Sequence, residues 1–430
     1  MYKQLFGIQA TSFFPGQFRK SAMQARNLCA VLLLSGMATL PAEHVINWNL
    51  VATAAGAAAG QHVVVQTRTY AIVHLAIHDA LNAIDRRYAP YLLEDSASAG
   101  TLPEVAVAAA ARDTLISLLP SQEQQIEAAY ADALSAVPDS DAKTRSVEIG
   151  SRAASFILAR RSFDGSTASV PWAPGVLPGQ YRPTPPGNAP AALTHWGDVF
   201  PFTYQDKASF RAAPPPDLLS PEYARAVQEI RLTGGADSTL RTAMQSEIAR
   251  YWYEASAQGW NRIARTVVET QGLDEWDSAR LFALVNLALA DGYIASFESK
   301  YFYNFWRPIT AIREGYMDGN LETSGELEWN SYLIAPPIPD WPSAHATVGA
   351  AAAEVLAGAS GTDSVAFSVT SGPPYAGTQR WFYSFSQAAL ENANSRALAG
   401  IHFREASVAG LRQGEAIGAW IFANFLRPVR

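Results

Sequence analysis

The chain has 430 residues, 49% of them hydrophobic and 17% charged, with a formal net charge of −7. That length allows a sizeable core in one large or two medium domains, and the acidic balance with no basic stripe argues against a nucleic-acid partner. Ala and Leu dominate and long stretches lack Gly and Pro, a composition that favours helix.

Residues 1–42 read as a signal peptide, which places the protein outside the cytoplasm, secreted or periplasmic. Arg19, Lys20 and Arg26 precede an apolar run from Leu28 to Leu34, and small residues follow, the order of a secretory signal. A start at Met23 gives a signal of more usual length. The run is shorter than the roughly 20 residues a membrane span needs, so no stable membrane insertion is expected after processing. Cys29, the single cysteine, lies inside this segment. The processed chain then has no thiol, disulfide or cysteine–metal chemistry. Later on, Leu281–Phe297 comes closest to a span, but Asp291 and Glu298 interrupt it.

Residues 43–170 form an N-terminal helical part. Helical patterning runs from about Asn47 to Ile84, with Ile72, Leu75, Ala76 and Ala80 on one face. Further helices are predicted at 103–118, 121–136 and 139–164. Between Pro171 and Pro221, 51 residues hold 12 of the 26 prolines. An irregular stretch of that length in a compact protein reads as a lid or binding wall. The C-terminal part, 222–430, has helical patterns at 221–233, 238–255, 258–272, 275–306, 343–358, 379–393 and 404–426, an irregular stretch near 315–341, and a short strand near 365–370. The expected fold class is all-α: packed helix bundles in one compact unit over 43–430, with long Pro-rich loops over the active site.

Three blocks carry chemistry. In "KYFYNFWRP", Lys300 and Arg307 are seven apart. On a continuous helix that puts both cations on one face, and Pro308 then ends or distorts the helix. Two cations amid aromatics repel unless an anion sits between them; the plain alternative is a pair of snorkelling side chains. In "DWPSAHATVG", Ser343 suits a helix N-cap, with the free N–H groups of Ala344 and His345 facing outward. Such an end binds oxyanions, although a simple cap beside an incidental His fits as well. In "SRALAGIHFRE", Arg396 and His402 do not share a helix face, but a bend near Gly400 brings both to one point. Otherwise they are a surface Arg and a satisfied core His.

Together the three blocks resemble, in order over residues 300–402, the signature shared by vanadium-dependent haloperoxidases and type 2 phosphatidic acid phosphatases. "FWRP", "GIHFR", the upstream "VHLAIHDALNAIDRRYAPYL" and the Pro-rich stretch are similar to the soluble, secreted bacterial haloperoxidase branch. The resemblance implies vanadate as cofactor, bonded to vanadium through one ring nitrogen of His402, the metal ligand. Lys300, Arg307 and Arg396 would neutralise its oxygens, with hydrogen bonds from Ser343 and the N–H of Ala344. His345 would be the acid–base group, His402 and Lys300 the other catalytic residues, with Lys300 polarising the peroxide. The implied partners are hydrogen peroxide, a halide and a small organic acceptor; a homo-oligomer is compatible with this. The implied activity is halide oxidation to hypohalous acid, with bromide or iodide favoured because Ile338, seven before His345, is aliphatic. A soluble acid phosphatase using a phosphohistidine at His402 is the alternative, and a non-catalytic oxyanion-binding scaffold the third reading.

Two positions depart from the pattern. Ala344 stands where the family has Gly, and Ala406 where it often has Asp, four residues after the ligand His. Glu405 then either orients His402 or faces solvent. His74 and His78, four apart, have metal-binding spacing but lack an obvious third ligand, so packing or hydrogen bonding is expected. His195, beside Trp196, is a candidate for the channel wall only, and His44 and His62 carry no signal.

Overall fold

Gly60, at φ +63°, divides the first helical pattern into α1 (Glu43–Ala58) and α2 (Val63–Ile84) in the computed structural model, which describes residues 42–429. The expected signal peptide and Cys29 lie outside the described residues, apart from Ala42. Then follow α3 (Pro103–Leu118), α4 (Glu123–Leu134), α5 (Asp141–Arg161), α6 (Pro221–Thr233), α7 (Ala243–Tyr251), α8 (Ser256–Gln271) and α9 (Glu275–Tyr303). The chain continues as α10 (Pro308–Arg313), α11 (Ala344–Ser360), β1 (Phe367–Thr370), β2 (Gln379–Phe382), α12 (Phe385–Leu398) and α13 (Arg404–Asn424). The all-α expectation holds.

The organising element is α9. It is buried along almost its whole length and packs against α2, α8, α11 and α13. Apolar side chains surround it on all sides, as expected for a helix at the centre of a bundle. Contrary to the sequence reading, α9 does reach the length and apolarity of a membrane span, and that segment is wholly buried inside the protein. Asp291 is tolerated there because its carboxylate accepts the N–H groups of Phe202, at 2.7 Å, and Thr203, at 2.9 Å. It thereby pins the Pro-rich stretch to the core helix.

The Ala-rich sequence of α11 has a packing cause. On α13, Gly410, Gly414 and Gly418 repeat every fourth residue, and an added Cβ at each would lie 2.5, 2.0 and 2.6 Å from the carbonyl oxygens of Ser343, Thr347 and Ala351. The two backbones approach as closely as small residues permit, which fixes the N-terminus of α11 against α13.

Two helix expectations are corrected. The pattern at 379–393 begins with a strand, because Trp381, Phe382 and Tyr383 favour extended backbone. β2 pairs antiparallel with β1, setting Phe382 opposite Phe367. Ser384 then caps α12 by accepting the Gln387 N–H at 3.0 Å. The helix expected at 275–306 stops at Tyr303, where Asn304 takes a left-handed φ of +48°.

Glu275, 1% exposed, ties α1 to the start of α9 by accepting the N–H groups of His44 and Val45 at 3.0 and 3.2 Å. Burial pushes its carboxyl up to about 7, against the pull of those two donors. A raised folded pKa gives stability that is complete below the ordinary value of 4.5 and is lost as pH rises through about 7. Relative to Glu275→Gln, the wild type should therefore lose roughly 3 kcal/mol between those limits. Thermal denaturation across the window checks this: a Tm difference independent of pH rules out Glu275 as the protonation site.

Candidate active site

The helix end at Tyr303 separates Lys300 from Arg307, so the two do not share one helix face as the spacing predicts. Lys300 lies in the last turn of α9, and Arg307 is the extended residue before α10, whose first position is Pro308. They still converge, through the 338–342 segment. The Lys300 ammonium donates to the carbonyls of Pro339, Asp340 and Pro342 at 2.8, 3.0 and 2.6 Å. All three of its protons are thereby engaged, and a bond to any further acceptor requires one carbonyl to be released. Arg307 donates through Nε to the Ile338 carbonyl at 2.8 Å, and through one terminal nitrogen to the Ile401 carbonyl at 2.6 Å and His402 Nε2 at 3.0 Å.

The bend expected between Arg396 and His402 is present. Arg396 lies in the last turn of α12, Gly400 has φ +74°, and His402 precedes α13. An added Cβ at Gly400 would lie 2.1 Å from the Gly234 carbonyl oxygen, so both the conformation and the close approach require glycine. Arg396 donates to the Trp252 carbonyl at 3.3 Å and stacks its guanidinium 5.7 Å from the Tyr253 ring centre.

Ser343 is the N-cap of α11, with its N–H on the Ala406 carbonyl at 2.9 Å. Ala344 opens the helix without a positive φ, so the methyl that replaces the family's Gly carries no backbone strain. His345 is half-buried, and its Nε2 lies 3.1 Å from the Glu254 carbonyl oxygen. A carbonyl can only accept, so Nε2 carries the proton and the neutral ring has its lone pair on Nδ1. Glu254 is itself held by Arg262, both carboxylate oxygens at 2.6 Å, and by the Gly372 N–H.

The electrostatics show one shared cluster. Lys300, Arg307 and Arg396 are buried. Burial, then the neighbouring cations, hold Lys300 well below its ordinary value, while Asp340 opposes them. Burial lowers Arg396 to about 10. Burial, then Arg307, Lys300 and Arg396, keep His402 well below its usual range; burial, then Arg396, do the same for His345. The Asp340 carboxylate acts on Arg307 and Lys300, and burial pushes it up to about 7 against the pull of both. The three cations and the Asp340 carboxylate are all buried. The second terminal nitrogen of Arg307 and Nε of Arg396 are buried without a hydrogen-bond partner among the described residues. Both carboxylate oxygens of Asp340 and Nδ1 of His402 are likewise without one; buried polar groups left unpaired are costly, and an anion with several acceptor oxygens would satisfy the two guanidiniums.

Asp340 is the site residue that sequence reasoning missed. Its carboxylate Oδ1 lies 2.8 Å from His402 Nδ1 and 3.6 Å from Arg307. A signal was present: a lone acid among prolines and aromatics in "PPIPDWPS". Glu405 does not orient His402; it borders a cavity of about 510 Å³ between residues 209–214 and α13. None of the seven expected site residues lines that cavity, so charge and donor chemistry, rather than volume, locate the site. His74 and His78 have packing and hydrogen-bonding roles, as expected. The first stacks on Phe282 and contacts Asn49 at 2.8 Å; the second reaches the Ala89 carbonyl at 3.1 Å. No group of three or more metal-ligating side chains occurs among the described residues. His195 is tied to the Ser166 carbonyl at 3.2 Å.

Residues 280–430 match the VCPO second helical-bundle domain. The vanadium chloroperoxidase of Curvularia inaequalis is 33% identical over 178 residues, which cover 34% of this chain and 29% of that protein; the match thus spans under a third of the relative's length. Among solved structures, a bacterial vanadium-dependent iodoperoxidase superposes with a TM-score of 0.77 at 24% identity, over 91% of this chain and 99% of that one. A bacterial vanadium-dependent chloroperoxidase in its holo form gives 0.68 at 19% identity, over 84% and 91%. These two share the fold. The C-terminal bundle is thus similar to the second helical-bundle domain of vanadium chloroperoxidases over residues 280–430.

Proposed function

We propose that this chain is an exported vanadium-dependent haloperoxidase, using hydrogen peroxide to oxidise bromide or iodide to hypohalous acid. The observation that carries the reading is the buried set of Lys300, Arg307 and Arg396 with unpartnered guanidinium N–H groups beside the two imidazoles. These residues fit vanadate: the oxyanion supplies the missing negative charge and acceptors, and His402 Nε2 supplies a lone pair. Arg307, Arg396, Ser343 and the first N–H groups of α11 would hold the oxygens. Lys300 holds the 339–342 turn through three carbonyls, and the Nδ1 of His345 accepts the peroxide proton. When bound, vanadate supplies a redox-inert Lewis acid that makes peroxide electrophilic toward halide.

The halide preference rests on Ile338. It is half-buried, its carbonyl bonds Arg307, and it immediately precedes the Pro339–Asp340 turn. An aliphatic wall offers no donor or aromatic edge to offset the dehydration of chloride, the most strongly hydrated of the three halides. Dye halogenation with vanadate and peroxide should be fast with bromide and iodide and slow with chloride. Chloride turnover equal to bromide turnover overturns the preference. Ester hydrolysis without vanadate, in the absence of any halogenation, makes the protein a phosphatase instead.

A further inference from the structure

Resting on the vanadate reading above, we propose that Asp340 is the positioning residue for His402, replacing from the α11 side the carboxylate that α13 lacks at Ala406. Four observations lead there. Asp340 is fully buried, and its Oδ1 lies 2.8 Å from His402 Nδ1. Arg307 has only donors, so its 3.0 Å contact requires a lone pair on His402 Nε2 and leaves the single ring proton on Nδ1, which lies beside the carboxylate but off the line of a hydrogen bond to it. Ala406, the position where the family often has the acid, offers no side-chain acceptor, and its carbonyl is taken by the Ser343 N–H at 2.9 Å. Asp340 cannot drift, because its backbone N–H is held by the Phe305 carbonyl at 2.8 Å and its own carbonyl by Lys300 at 3.0 Å.

The arrangement sets the tautomer and the ring direction, so that the nitrogen nearest the cations is the unprotonated one, whose lone pair a ligand takes when Arg307 releases it. An orienting carboxylate also makes a ligating imidazole more basic. Asp340 lies five residues before the acid–base His345. The turn that caps α11 therefore also orients the ligand histidine, and one short segment sets both imidazoles.

The test uses the full chain with ¹⁵N-labelled histidine, the His402 signals being assigned by their loss in His402→Gln. Ligand-free wild type should show His402 protonated on Nδ1 alone. Asp340→Asn should mix the tautomers and weaken orthovanadate binding, measured by calorimetry, by roughly 10–100-fold. A wild-type His402 protonated on Nε2 overturns the proposal without recourse to any variant. So does an Asp340→Asn protein with unchanged tautomer, or with unchanged vanadate affinity. If wild type binds phosphate but not vanadate while its tautomer still depends on Asp340, the positioning role stands and the haloperoxidase reading fails.

Discussion

Replacing His402 by alanine should abolish tight orthovanadate binding while leaving a weak, vanadate-unselective anion site. The reason lies in the division of labour around the ring. Lys300, Arg307 and Arg396 remain in the variant, so electrostatic attraction for any oxyanion persists. What disappears is the Nε2 lone pair that faces Arg307. The loss in vanadate affinity should exceed the roughly 10–100-fold that removing an orienting partner of a metal ligand costs, whereas phosphate affinity should change far less. Calorimetric titration of wild type and His402→Ala with orthovanadate and with phosphate gives both numbers. Vanadate affinity that survives the substitution rules out His402 as the ligand. The variant also leaves buried Asp340 without the histidine beside it, so its melting temperature should be reported with the affinities.

Most of the helical framework was legible because it depends on local pattern. Helix α6 matched its predicted 221–233 span, with Ser220 capping it and Pro221 opening it. The three chemical blocks, each with a plain reading of its own, stood out in the sequence because together and in order they resemble a known signature. Three features escaped because they depend on tertiary geometry. Lys300 and Arg307 meet although the helix between them ends at Asn304, and spacing alone cannot see that a loop brings together what the helix no longer aligns. The strand Gln379–Phe382 forms by pairing with β1, which no single-segment propensity specifies. Asp340 was overlooked because the orienting carboxylate was sought downstream of His402, where the family often carries it. The structure delivers it from a segment 62 positions earlier in the chain, since 402 minus 340 is 62. Contact with His402, rather than sequence distance, gives it a role.

His345→Ala should retain the oxyanion and lose turnover by roughly 10²–10⁴-fold, the usual worth of a positioned proton acceptor. The ring is prepared for that task in the ligand-free protein. Burial, then Arg396, hold its pKa well below the ordinary range, so the neutral form prevails near neutral pH. The Glu254 carbonyl fixes the proton on Nε2, which leaves the Nδ1 lone pair as the proton acceptor under test. Unlike His402, this residue makes no hydrogen bond to Arg307, and its removal leaves the cationic cluster intact. Its backbone carbonyl accepts from Asn392 at 3.0 Å, an interaction that survives truncation of the side chain and helps preserve the helix start. Vanadate titration and steady-state halogenation of the same preparation separate the outcomes. Near-normal affinity with turnover down by that factor assigns the proton step to His345. Equal losses in affinity and turnover make it a structural member of the site, and unchanged turnover removes it from the chemistry.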